Sequence, residues 1–265
     1  MGEPQGVLLT VAYDGTAFHG WASQRDARNV QDTLTGALAA LDPSVTEVRG
    51  TSRTDAGVHA RAQMVAFDTA KDIPARGWVL GVNQHLPEDV AVRAARPVPA
   101  GFAPRFASKK KRYEYTLALE AVRDPLASRT AWRIGAPVDV EAIRREAAAL
   151  VGTHDFAAYR AARDERTETT RTVTAIDVDE PTPRIGEGRR LVLGFEGTAF
   201  LYNMVRIMVG TLVDVGTGRL PRGRAGEALA ARDRRLAGQT APPGGLVLAR
   251  IDLELPPGAG ETWPP

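Results

Sequence analysis

Apolar positions along this chain come in short blocks whose spacing changes from one block to the next. Residues 7–13 are a compact apolar run with a single threonine, the pattern of a buried strand. From Asn29 the spacing becomes helical: Val30, Leu34, Ala37, Leu38 and Leu41 fall on one face, Asn29 and Asp32 form a capping pair, and Pro43 ends the element. Strands are expected over 45–50, 62–68 and 90–95, and the proline-rich stretch 97–104 reads as the crossing into a second half. There 112–119 alternates as a strand, and Asp139 caps a helix carrying Val140, Ile143, Ala147 and Leu150, with Gly152 as its stop. Residues 172–179 and 191–195 read as strands, 199–215 and 225–236 as helices, and 246–255 as the final strand.

Strand, helix and strand recur in both halves without residue-level repetition. The expected fold class is therefore α+β, with two similar lobes, each a mainly antiparallel sheet flanked by helices, and a cleft between them as the natural site. The lobes are expected over residues 6–104 and 105–256. The Pro/Gly-rich remainder, 257–265, is expected to be an unstructured tail.

Composition narrows the chemistry. With 265 residues, 43% of them hydrophobic, the chain can bury a proper core, and with no cysteine it has no disulfide, thiolate nucleophile or Cys-based metal site. No apolar run approaches the roughly 20 residues of a membrane helix, and the N-terminus lacks the pattern of a signal peptide, so a soluble cytoplasmic protein with no membrane partner is expected. The net charge is only +2, but arginine supplies most of the 34 basic residues, and its planar fork suits phosphate better than a lysine does. The histidines His19, His59, His85 and His154 show no metal-ligand spacing, and no glycine pattern forms a nucleotide-binding loop. Neither a metal nor a cofactor is expected.

The stretch Thr51-Ser-Arg-Thr-Asp-Ala-Gly-Val-His59 joins two expected strands through a small-residue loop. Read plainly, it is an Asx-turn in which Asp55 bonds nearby backbone and Gly57 supplies a positive φ. Its company gives it another reading: Tyr13-Asp-Gly-Thr-Ala-Phe-His-Gly-Trp21 upstream, then Arg105-Phe106, Arg112-Tyr113-Glu-Tyr115, and Phe200-Leu-Tyr-Asn-Met-Val-Arg-Ile-Met-Val-Gly210. From about Val7 to about Leu255 the chain resembles the tRNA pseudouridine synthase A family. That resemblance implies isomerisation of uridine to pseudouridine in the tRNA anticodon stem-loop, at positions 38, 39 and 40, by a homodimer whose two-lobed subunits pass RNA across a basic cleft.

The resemblance implies Asp55 as the nucleophile, paired with Arg206. A carboxylate nucleophile must stay ionised and shielded from water. Arg206 lies among Phe200, Met204, Ile207 and Met208, and a buried arginine left unpaired would cost about 3 to 5 kcal/mol, so it calls for a carboxylate. Its alternative is a snorkelling stem with a solvated head. Attack at C1′, addition at C6 and proton abstraction from the sugar all require the same ionised aspartate.

A stacked uridine must be flipped out before it can react, and Arg53 is placed to fill the gap by stacking while bonding phosphate; its alternative is a plain surface arginine in a turn. Tyr113 and Tyr115 share a strand face. The resemblance assigns Tyr113 to stacking on the target uracil and to possible proton removal at C5, while Tyr115 reads as a core aromatic. The basic run Lys109, Lys110, Lys111 and Arg112 precedes this aromatic strand, as RNA tracking requires; Arg105, Phe106, Arg160 and Arg163 are further candidates for RNA contact.

The sequence departs from the family pattern at Ala22-Ser23, at His85 and, with most consequence, at Ser52, where a glycine is common. If position 52 needs a positive φ, serine there costs about 1 kcal/mol. The main rival reading is a noncatalytic tRNA-binding or folding module, which would not need Asp55. A zinc deaminase would need Cys and a His-x-Glu pair, and a glycoside hydrolase would need two facing carboxylates.

Overall fold

The computed structural model describes residues 4–162, 164, 167–183 and 188–264. The chain is α+β with mixed, mostly antiparallel sheet flanked by helices, and it divides into two compact units: Met1–Lys109 with Leu248–Pro265, and Lys110–Val247. The division falls five residues after the boundary expected at 104/105. The final strand and the tail group with the first unit rather than with the half they follow in sequence, because strand pairing is settled by hydrogen bonds across the sheet and not by chain order.

In the first unit β1 (Gln5–Tyr13) lies between β3 (His59–Thr69) and β4 (Val90–Val98), antiparallel to both. A two-residue β2 (Arg49–Gly50) pairs with β3 as well, and β10 (Leu246–Leu253) is the next strand beyond β3. Val7 and Leu9 of β1 lie opposite Phe67 and Val65. Phe67 meets Trp78 edge-on at 5.0 Å, so this sheet face packs on α2 (Ala75–Asn83), which also contacts α1 (Val30–Leu41). On the other face Leu8, Ala66 and Val98 form a second apolar cluster with Met64, Phe102, Leu253 and Ala259. Burial on both faces is why β1 reads as a continuous apolar run.

The expected helix at Asn29 forms as α1, with the Asn29 side chain accepting the Asp32 amide. The expected strand over 45–50 shrinks to β2. Asp42 explains this: its carboxylate accepts both the amide and the hydroxyl of Ser44, so the chain curls after Pro43 and Val45 and Val48 are buried from a loop. Helix α2 is not expected from the sequence, because its two glycines hide a short apolar face. The tail is not structureless: Trp263 and Ala95 exchange backbone hydrogen bonds of 2.8 and 2.9 Å, adding a bridge at β4. The short α3 (Pro104–Ala107) ends this unit's main segment.

In the second unit β5 (Ser108–Leu119) pairs antiparallel with β9 (Arg189–Gly197), then come β8 (Thr170–Asp179) and β7 (Gly152–Asp155), while β6 (Trp132–Ile134) runs parallel to β5. Helix α4 (Val140–Ala148) is capped by Asp139 as expected, but it stops before Gly152, which opens β7 at φ +131°. Helix α5 (Met204–Gly216) begins five residues later than its period suggests, because Asn203 adopts φ 59° and ends the preceding turn. Every residue of α5 except Arg206 is buried. Helix α6 (Arg224–Ala231) stops at Arg232, again left-handed at φ 55°, rather than running on to 236.

Candidate active site

The loop carrying Asp55 is fixed from several sides. The Thr51 amide and hydroxyl both bond the Met64 carbonyl, at 3.0 and 2.7 Å. The Ser52 amide donates to Gln63 Oε1 at 3.2 Å, and the Thr54 hydroxyl shares a hydrogen bond of 2.8 Å with the Tyr13 phenol. Beyond Asp55, its carbonyl accepts the Val58 amide and the Phe18 carbonyl accepts the Gly57 amide. Gly57 takes φ 77°, as the turn reading requires. The backbone is thus held on both sides of an aspartate that is itself half-buried.

The aromatic-rich segment after Tyr13 packs against this loop. Gly15 and Gly20 approach so closely that a Cβ on either would strike the Val58 or the Thr54 carbonyl, and Trp21 lies flat enough on Gly50 that a Cβ there would enter its ring. Arg28 stacks on Phe18, 4.0 Å from the ring centroid, and reaches Asp89 with two nitrogens at 2.7 and 2.9 Å. Ser52 is not among the left-handed residues, so serine carries no backbone strain there, although its buried Oγ has no hydrogen-bond partner among the described residues. Arg53 is exposed.

In the second unit Tyr113 is only 8% exposed and meets Phe200 edge-on, centroids 5.3 Å apart. Tyr115 is the core aromatic its position suggests: fully buried, its hydroxyl donates to the Pro242 carbonyl at 2.7 Å, and burial pushes its phenol well above the ordinary range against the opposing effect of Arg206. Arg206 is held at two points of its fork. Nε donates to the Ala241 carbonyl at 2.8 Å and Nη1 to Asn203 Oδ1 at 2.9 Å. No pattern of side chains in the sequence marks Ala241, since its part is played by a carbonyl.

The candidate RNA contacts differ in their surroundings. Arg105 and Phe106 stand on α3, with Phe106 86% exposed. Lys109 pairs with Glu254, and Lys110 reaches Glu196 at 3.2 Å; Lys111 is half-buried. Arg112 is engaged inside its own sheet: Nε meets Glu114 at 3.2 Å, and Nη1 meets Asp177 at 2.5 Å and Glu196 at 3.4 Å. Its guanidinium lies across Gly194, where a side chain would collide with it. Arg160 follows a single turn, Ala157–Tyr159, whose tyrosine hydroxyl donates to the Ala225 carbonyl at 2.8 Å. Arg163 lies outside the described residues. Among the described residues no helix is long and apolar enough to cross a membrane.

The profile of a protein family described as tRNA pseudouridine synthase matches residues 9–107 and 147–253, which include the Asp55 loop, Arg105, Phe106 and Arg206. The chain belongs to the tRNA pseudouridine synthase family. Its similarity to individual relatives runs nearly end to end. It is 43% identical over 246 residues to the tRNA pseudouridine synthase A of Geobacter sp. (strain M21), covering 92% of this chain and 97% of that protein. It is 42% identical to the protein of the same description from Myxococcus xanthus, covering 92% and 90%, and 42% identical to that of Bordetella petrii, covering 95% and 91%. Tyr113 falls between the two matched segments of the pseudouridine synthase profile, so its candidacy rests on the sequence motif alone.

Proposed function

We propose that this protein isomerises uridine to pseudouridine in tRNA, at positions 38, 39 and 40 of the anticodon stem-loop. The observation that carries the reading is similarity over nearly the whole chain to relatives described as tRNA pseudouridine synthase A, spanning 92% of this chain and 97% of one such relative. The reaction breaks the bond from N1 to C1′, turns the uracil and joins C5 to C1′; nothing is added or removed. The enzyme works in the cytoplasm as a homodimer.

Asp55 is our candidate nucleophile. It is supported by a loop whose backbone is fastened before and after the aspartate while the residue itself stays half-buried. Arg206 is our candidate partner for that carboxylate, supported by its being the only residue of α5 that is not buried and by the two bonds that orient its fork. A fixed cation beside a carboxylate favours its ionised form and then screens charge on the detached base.

Tyr113 is assigned to stacking on the flipped uracil, since a ring braced edge-on by Phe200 can take a base without losing further freedom. Arg53 fills the gap left in the RNA, and Arg105, Phe106, Lys109, Lys110, Lys111 and Arg160 contact the tRNA around it. Mapping pseudouridine in tRNA incubated with the wild type and with Asp55→Asn tests the reading. Isomerisation at the three positions by the wild type alone is expected. A near wild-type rate from Asp55→Asn would remove Asp55 as the nucleophile, and no product from the wild type would remove the function.

A further inference from the structure

A strap of chain, residues 238–242, runs along α5 and is fastened to it at both ends. At the far end the Gly238 amide donates to Thr211 Oγ1 at 2.9 Å, and the Gln239 amide and side chain donate to the two carboxylate oxygens of Asp214 at 3.1 and 2.9 Å. Gly210 lets the strap lie against the helix, because a Cβ there would overlap the Gln239 carbonyl. At the near end the Ala241 amide donates to the Arg206 carbonyl at 3.0 Å while the Ala241 carbonyl accepts Arg206 Nε. Immediately beyond, the Pro242 carbonyl accepts the Tyr115 hydroxyl.

Asp214 occupies an unfavourable position for an acid. It is buried in the last turn of α5, where the helix dipole disfavours negative charge and desolvation penalises it further. The donors that offset this are Gln239, twice, and Arg219 at 3.2 Å. An arginine side chain left to itself samples many rotamers; one whose Nε is bound to a fixed carbonyl does not. The carbonyl is fixed only as well as the strap is.

We infer that Asp214 is a positioning residue for Arg206, acting through the strap it anchors. The inference rests on the proposed role of Arg206 in the isomerisation. It separates from a purely structural role because its effect must pass through the Nε bond. Loosening the strap slows the chemical step and leaves tRNA binding alone.

The test compares single-turnover rates at saturating tRNA, and tRNA affinities, in the full-length protein. Asp214→Ala is expected to lower the rate by about tenfold or more with affinity unchanged. Asp214→Asn is expected to recover most of that loss, since an amide oxygen still accepts the Gln239 amide and the Gln239 side chain can turn over to match. In an Arg206→Lys background, which has no Nε to hold, Asp214→Ala should cost less than about twofold further. If Asp214→Ala does not fold, Gln239→Ala reads the same strap from an exposed residue and should slow the step by roughly threefold. An equal loss in both backgrounds, a loss confined to affinity, or no loss at all would overturn the inference. A wild-type protein that forms no pseudouridine would instead overturn the function, and Arg206→Lys at full rate would overturn the role of Arg206.

Discussion

The phenol of Tyr13, at the end of β1, and the hydroxyl of Thr54, the residue before Asp55, share a buried hydrogen bond of 2.8 Å. It ties the loop, one residue before the aspartate, to a strand that is paired on both edges. Tyr13→Phe leaves the Thr54 hydroxyl buried without this partner and is expected to cost about 1 to 2 kcal/mol. The rate should fall more than tRNA affinity does. Urea unfolding and single-turnover kinetics check this; a stability loss with an unchanged rate would show that the loop keeps its shape without the bond.

Gly20→Ala is expected to disturb the same loop through its backbone. Gly20 takes φ 96°, and an added Cβ would lie 2.6 Å from the Thr54 carbonyl, a rigid backbone atom. The strain should reach about 1 to 3 kcal/mol, and the carbonyl must move if the fold is kept. Gly36→Ala is the control, because a Cβ there meets nothing within 4 Å and the position is in the middle of α1. Thermal unfolding should rank Gly20→Ala far below wild type and Gly36→Ala at or above it.

Acid sensitivity is expected to involve Asp42. Its hydrogen bond from the Thr69 hydroxyl, at 2.6 Å, is the largest of the influences that hold its carboxyl below the ordinary value of 3.8, helped by two bonds from Ser44. Because the folded value is the lower one, the stability Asp42 contributes is complete above the ordinary value and is lost as pH falls through the folded value. Asp42→Asn should therefore cost about 2 kcal/mol at neutral pH, and the gap from wild type should close in strong acid. Urea midpoints measured across that range check it; a gap that stays constant would mean the carboxylate charge contributes nothing.

Salt dependence separates the basic residues by role. Replacing Lys109, Lys110 and Lys111 with alanine is expected to weaken tRNA binding and flatten the slope of log K against log salt by roughly 0.7 to 0.9 for each phosphate no longer neutralised. Turnover at saturation should hold. Arg53→Ala should do the reverse, slowing the chemical step at near-normal slope, because only the flipped state needs the gap filled. Arg112→Ala should leave the slope unchanged and lower stability instead, since its guanidinium is engaged by Glu114, Asp177 and Glu196. Filter binding across a salt series, with single-turnover rates, distinguishes the three.

Local features of this protein are legible in its sequence: β1 from an apolar run, α1 and α4 from their periods and from the caps Asn29 and Asp139, and a loop around Asp55 with Gly57 at positive φ. These depend on interactions within a few residues, so spacing and side-chain type suffice to specify them. Family membership was legible for a related reason, since the motifs around Asp55 and Arg206 are contiguous in the chain. What depends on distant partners is set only when the chain folds. Helix α5 is legible as a helix from its period, but the burial of all its residues except Arg206 comes from α4 and other elements of its unit packed around it. Arg112 reads as part of a basic run, but Asp177 and Glu196, far along the chain, are brought to its guanidinium by β8 and β9. The final strand groups with the first unit, and Ala241 holds Arg206 through a carbonyl, the same group every residue carries. Backbone groups and sheet neighbours have no sequence pattern of their own, so only the folded chain assigns them a role.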